Sequence, residues 1–116
     1  GKLEPGETAL ESAVREVKEE LLLTVGELEE MGHLHFDFVD GLKLHCTVFH
    51  GTEFSGIPTE TREAKPEWFR FDEVPYDRMW ADDRHWLPQM LEGRKFDAWF
   101  RFDGEEMLSR EVRFLD

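Results

Sequence analysis

The chain has 116 residues, enough for a single domain with one modest core, and 40% of them are apolar, including ten Phe and four Trp. No apolar run reaches membrane length and no signal-peptide pattern is present, so a soluble cytoplasmic protein without a membrane partner is expected; the lone Cys46, unable to form an internal disulfide, fits a reducing compartment. A net charge of -13 repels nucleic acid backbones and argues against binding long nucleic acid.

The first predicted element is a helix. Thr8 followed three residues later by Glu11 makes a capping box, and Pro5 and Gly6 supply the turn ahead of it, so the helix starts near Thr8. At about 100° per residue, Leu10, Val14, Val17 and Leu21 share one stripe, which packs on a core. Glu16, Glu19 and Glu20 fall on another face at i, i+3 and i+4, three carboxylates within one turn and no basic side chain inside their arc. Like charges so spaced oppose the helix by roughly 0.2 to 0.5 kcal/mol per pair, so the face is either well solvated or awaits a cation. Oxygen-only ligands on one rigid element suit Mg²⁺ or Mn²⁺, with water and a substrate phosphate completing the shell. Such an ion would also bridge a phosphate substrate to an otherwise repellent surface.

Beyond a polar connection after Gly26, Leu34, Phe36 and Phe38 alternate with His33, His35 and Asp37, the period of a strand. Asp40-Gly41 is a tight-turn pair and Leu42 to His50 alternates again, which predicts a hairpin. Residues 54–65 read as a loop carrying Glu60 and Glu63, followed by a short strand around Trp68, Phe69 and Phe71 and an irregular stretch containing Pro75. Asp82 or Asp83 caps a helix running to about Leu91, where Pro88 is tolerable only if the first turn is irregular or the helix begins late. A last hairpin pairs Phe96 to Phe102 with a strand carrying Leu108, Val112 and Phe114 across Asp103-Gly104.

Trp80-Ala81-Asp82-Asp83, with Trp86 beyond, is the specificity candidate. An indole stacks on a purine and two carboxyl groups read its polar edge. An ionised carboxylate only accepts, so pairing with both N1 and O6 of a guanine-like edge needs one aspartate protonated; crowding and desolvation both push in that direction. Core packing for the two tryptophans and helix capping for the aspartates are the plain alternatives, and one aspartate can cap while the other reads a base. The histidines around the first hairpin, His33, His35, His45 and His50, are read chiefly as a solvent-facing row rather than a metal site, and Cys46 has no motif that would make it a nucleophile.

The opening residues also form a longer pattern: Gly1, five residues, Glu7, seven residues, then Arg15-Glu16-Val17-Lys18-Glu19-Glu20. This order resembles the signature of the Nudix hydrolases at every fixed position but one, Leu22 standing where the family has glycine. A glycine there leaves the helix in a left-handed cap, so Leu22 is expected to extend the helix or end it differently. The run from Lys65 to Leu91, KFDAWFRFDG after it and HLHFDFVDG before it are similar to the MutT-homologue branch, which hydrolyses oxidised purine nucleoside triphosphates such as 8-oxo-dGTP and 2-hydroxy-dATP.

The resemblance implies an α+β Nudix fold, a mixed β-sheet sandwiched between helices, as one domain over residues 1–116 whose N-terminal strands are missing. It implies a metal-dependent hydrolase that releases monophosphate and pyrophosphate from a small nucleotide, cleansing the nucleotide pool. Glu16, Glu19 and Glu20 would bind metal, joined by the backbone carbonyl of Gly1 and by Glu63, the latter as ligand or base. Arg15 would orient a signature glutamate, with Glu7 or Glu19 as partner. Lys2 would approach phosphate, while Trp80, Asp82, Asp83, Phe36, Phe38 and Trp86 would surround the base. Another nucleoside diphosphate-linked substrate, or a catalytically silent metal or nucleotide binder, are the alternatives. A complete domain is expected to be monomeric, and one lacking strands to associate through its bare sheet edge.

Overall fold

The computed structural model describes residues 3–115, and the chain divides into two compact units: Gly1–Glu30 with Phe49–Trp68, and Met31–Val48 with Phe69–Asp116.

In the first unit, α1 (Ala9–Leu21) begins where the capping box predicts. Thr8 is extended, its Oγ1 accepts from the Glu11 amide at 3.1 Å, and Glu11 Oε1 accepts from the Thr8 amide at 3.0 Å. These bonds satisfy amides that a helix start leaves orphaned, and the threonine cap alone contributes about 1 kcal/mol. Val14, Val17 and Leu21 of the expected stripe are half-buried, but Leu10 is 46% exposed, so the stripe is seated only from its second member onward.

The end of α1 departs from expectation. Leu22 neither extends the helix nor ends it in a new way: it adopts φ 60° and ψ 31°, the left-handed conformation a glycine would take, with its amide still donating to the Lys18 carbonyl at 3.1 Å. The exit direction is held from the other side, because the Thr59 amide donates to the Leu21 carbonyl at 3.0 Å and the Thr61 hydroxyl donates to the Glu20 carbonyl. These bonds fill acceptors that a helix C-terminus leaves open. A side chain in that conformation costs roughly 1 to 2 kcal/mol. Downstream, β1 (Thr24–Val25) pairs antiparallel with β4 (Phe54–Ser55), a two-residue ribbon too short for any periodicity to announce.

The short strand expected around Trp68, Phe69 and Phe71 does not form. Among the described residues no strand offers it a hydrogen-bond ladder, the three side chains stay exposed, and Phe71–Glu73 closes instead into a 3₁₀ turn.

The second unit holds most of a mixed sheet with the order β3 (Lys43–Gly51), β2 (Leu28–Phe38), β5 (Lys95–Asp103), β6 (Glu106–Leu115). β2 runs parallel to β5, from Gly32 opposite Phe96 to Phe38 opposite Phe102, and β5 runs antiparallel to β6. The β2–β3 turn closes as Asp40-Gly41 predicts, with the Leu42 amide donating to Asp40 Oδ1 at 2.9 Å. Phe96, Ala98, Phe100 and Phe102 alternate inward along β5 and, with Met31, Leu34, Trp86 and Met90, make the core. Burying each phenylalanine contributes on the order of 2 to 3 kcal/mol. Gly32 is what lets β2 and β5 approach, since a Cβ there would collide with the carbonyl oxygen and the ring of Phe96.

α2 (Asp83–Leu91) packs on β5, with Trp86 stacked on Phe96 at 5.2 Å between ring centres. Its entry is tight: the Asp83 amide donates to the Trp80 carbonyl and the His85 amide to that of Asp82, both three residues back. That irregular first turn meets the condition that Pro88 sets for lying inside the helix.

Leu22→Gly should raise the free energy of unfolding by up to about 1 kcal/mol, the relief of left-handed strain less the entropy glycine adds to the unfolded chain. Urea denaturation checks this. An unchanged or lower midpoint would mean that the leucine side chain, 48% exposed, packs better than its position suggests.

Candidate active site

The acidic face of α1 is organised by Arg15. Its Nε donates to Glu7 Oε2 at 2.8 Å and Nη2 to Glu7 Oε1 at 3.1 Å, a two-pronged grip that fastens the turn before the helix to the helix itself. Nη1 reaches Glu19 Oε2 at 3.1 Å and lies 3.7 Å from Glu4, while Nη2 lies 3.7 Å from Glu16. The hydrogen bonds from Arg15, joined by one from the Glu4 amide, hold the Glu7 carboxyl below the usual carboxylate range, and Arg15 is correspondingly pushed up. Both partners proposed for Arg15 are therefore engaged at once.

This corrects the expectation of an arc free of basic side chains. A helical wheel places Cα atoms, but an arginine side chain is long enough to reach its i+4 neighbour. Glu16 is also approached by the hydroxyl of buried Ser12 at 3.5 Å. Among the described residues, no three His, Cys, Asp or Glu side chains form a ready-made metal-binding group.

The donor set still fits a hard divalent ion. All its described members offer carboxylate oxygen, Arg15 takes Oε2 of Glu19 and leaves Oε1, and Glu20 and Glu63 form no ion pair among the described residues. The loop bearing Glu63 is tied to α1 by Thr61, whose Oγ1 donates to the Glu20 carbonyl and accepts from the Glu63 amide at 3.3 Å. Gly1 and Lys2 lie outside the described residues.

In the second unit the base-reading candidates gather around Phe102. Trp80 is 49% exposed and meets Phe102 edge-on at 5.6 Å and 80° between planes. Phe36 and Phe38 lie 6.0 and 5.8 Å from the same ring. Sequence patterning marks Phe102 only as part of a strand; its place in an alternating run tells of burial, not of which side chains lean on it.

Asp82 stands at the cap position of α2, yet its side chain caps nothing. It has helical backbone angles, is 2% exposed, and Oδ2 accepts from Trp86 Nε1 at 3.0 Å. Trp86 is thus a support for the aspartate and a core residue, at once anchored on Phe96 and bonded to Asp82. Burial, with Asp82 beside it, pushes the Asp83 carboxyl up to about 7. The pair accordingly offers both a hydrogen-bond acceptor and, near neutrality, a donor.

The histidines of the first hairpin pack on one another: His33 Nδ1 lies 2.9 Å from His45 Nε2, and His45 stacks on both His33 and His35. The Cys46 thiol is pushed up by desolvation, the wrong direction for a nucleophile.

The Asp83 proton links to stability with a definite sign. Between the ordinary value of 3.8 and about 7 the folded chain keeps a proton that the unfolded chain has released, so this contribution is complete below about pH 4 and lost as pH rises through 7. Asp83→Asn should remove that loss, and its stability relative to the parent chain should grow between about pH 5 and about pH 8. Urea titrations at both ends measure it. A pH-independent difference would show that Asp83 titrates as an ordinary carboxylate.

Residues 1–90 match the NUDIX domain model. The chain is 38% identical to the oxidized purine nucleoside triphosphate hydrolase of Mus musculus, over all of this chain and 76% of that protein. It is also 38% identical to the protein of the same name from Danio rerio, over 93% of this chain and 70% of that one. Among solved structures, a mutator MutT protein from Bacillus halodurans superposes with a TM-score of 0.85 at 31% identity, covering 97% of this chain and 78% of that chain. With the signature, the mixed sheet and these likenesses in agreement, the chain belongs to the Nudix family.

Proposed function

We propose that this Nudix hydrolase converts oxidised purine nucleoside triphosphates, 8-oxo-dGTP and 2-hydroxy-dATP among them, into monophosphate and pyrophosphate, clearing them from the nucleotide pool. The observation that carries the reading is the carboxyl pair beside an exposed indole: Asp82 buried and fixed by Trp86, Asp83 holding a proton near neutrality, and Trp80 open for stacking. A carboxyl that exchanges donor for acceptor suits purines whose edges differ in proton placement, which is what oxidation at different ring positions produces. The names of the mouse and zebrafish relatives support the same substrate class.

Nudix hydrolases work with a divalent cation. Here Glu16, Glu19, Glu20 and Glu63 would hold it as Mg²⁺ or Mn²⁺, with the Gly1 carbonyl contributing and Lys2 approaching phosphate. Such ions, when bound, neutralise charge on phosphoryl oxygens and make a coordinated water a better nucleophile. The chain's own contribution is positional. Arg15 keeps Glu7 and Glu19 in place, Glu20 and Glu63 remain to accept the proton of the attacking water, and Trp80 with Phe36 and Phe38 aligns the base.

Glu19→Gln should lower cation-dependent pyrophosphate release by about two to three orders of magnitude, and an undiminished rate would remove the mechanism. Trp80→Ala should act on KM and leave kcat largely intact. Comparing kcat/KM for 8-oxo-dGTP, 2-hydroxy-dATP and dGTP decides the substrate, equal values discarding the cleansing role. Calorimetric binding of 8-oxo-dGMP by folded, metal-loaded protein without turnover would instead favour a silent binder.

A further inference from the structure

We infer that Thr61 is a positioning residue: its hydroxyl sets the distance between the last turn of α1 and Glu63, and through that spacing the affinity for the cation. The inference rests on the proposed metal-dependent reaction. The hydroxyl is used in two directions at once, donating to the Glu20 carbonyl and accepting from the Glu63 amide at 3.3 Å. The Thr61 amide donates to the Ala64 carbonyl at 2.9 Å, closing a turn that contains Glu63, and the Thr59 amide donates to the Leu21 carbonyl at 3.0 Å. The segment from Thr59 to Ala64 is therefore fixed to the helix by two of its open terminal carbonyls, and the threonine oxygen joins the backbone of one proposed ligand to the backbone of another. A bond between backbones differs from one between side chains, because each carboxylate keeps its own oxygens for an ion.

The position calls for a hydroxyl. Valine has the same shape and β-branching but neither donates nor accepts; serine keeps both functions with one methyl fewer. Loss of groups that orient metal ligands without touching the ion weakens binding by about 10- to 100-fold. With base selection assigned to the second unit, the effect should fall on the cation and on kcat rather than on nucleotide KM.

The test compares the parent chain, Thr61→Val and Thr61→Ser. Mn²⁺ affinity is read by calorimetry without nucleotide, turnover is followed separately, and exchange of the Glu63 amide is followed by NMR. Thr61→Val should bind Mn²⁺ about tenfold or more weakly and exchange that amide faster, with an unchanged KM, and Thr61→Ser should restore Mn²⁺ affinity, amide protection and turnover toward the parent. Should Thr61→Val fail to fold, the serine variant and the protection of the Glu63 amide in the parent chain carry the decision: an unprotected amide there overturns the tether. A parent chain that binds Mn²⁺ and turns over, with Thr61→Val matching it, overturns the role of Thr61 alone. A parent chain that binds no cation overturns the proposed reaction and this inference with it.

Discussion

The first unit depends on a single guanidinium among carboxylates. Arg15 stands within reach of Glu4, Glu7, Glu16 and Glu19, and only a planar fork with several donors can serve that many acceptors from one point. Its two bonds to Glu7 make the entry turn and α1 one rigid piece, so the chain that opens the signature cannot drift from the helix that continues it. Its bond to Glu19 does something different. By taking one oxygen and leaving the other, it turns a flexible surface side chain toward a fixed direction. The same cation that offsets mutual repulsion among the glutamates thereby orients them, while competing with any metal for part of the face.

The second unit solves the opposite problem, keeping two acids close together in an apolar setting. Phe102, fully buried, is the floor on which Trp80, Phe36 and Phe38 all lean, and the stack of Trp86 on Phe96 brings the indole N–H to Asp82. A buried carboxyl without a partner would be costly, so the Trp86 bond is what permits Asp82 to stay inside. Asp83 has no such indole donor. Desolvated beside a second carboxyl, it keeps its proton to about 7 instead of giving it up. Packing, in other words, sets the chemistry of the pair: the aromatic core excludes the water that would otherwise make Asp83 an ordinary carboxylate.

Much of this is legible in the sequence because it rests on local patterns. The capping box at Thr8, the alternation of β5 and the tight turn at Asp40-Gly41 each depend on residues a few positions apart, and each forms as read. What escapes reading depends on residues distant in sequence. Leu22 adopts a conformation costly to itself because Thr59 and Thr61, far along the chain, hold the helix end. Trp68 to Phe71 has strand-like composition but no partner strand among the described residues, and Asp82 has the identity and position of a cap yet gives its oxygen to Trp86. The three glutamates are the instructive case: their spacing is as read, but the wheel carries no account of how far an arginine reaches. Thr61 is invisible for the reason Leu22 is, its partners being set by the fold and not by neighbours in the chain.

The two units place opposite demands on protons, and together these bound the conditions under which the proposed reaction can run. Metal ligands must be deprotonated, and the Arg15 network must stay charged to hold them; hydrogen bonding from Arg15 keeps Glu7 ionised further into acid than an ordinary glutamate. The proposed base reading by the carboxyl pair asks for the reverse, a proton retained on Asp83, and that proton leaves near 7. Glu7, held down, and Asp83, held up, therefore overlap on the acid side of neutrality, where Glu7 is ionised and Asp83 still carries its proton. Had Asp83 been solvated, it would have shed its proton near its ordinary value of 3.8, and two acceptors would have faced a purine edge that also presents an acceptor.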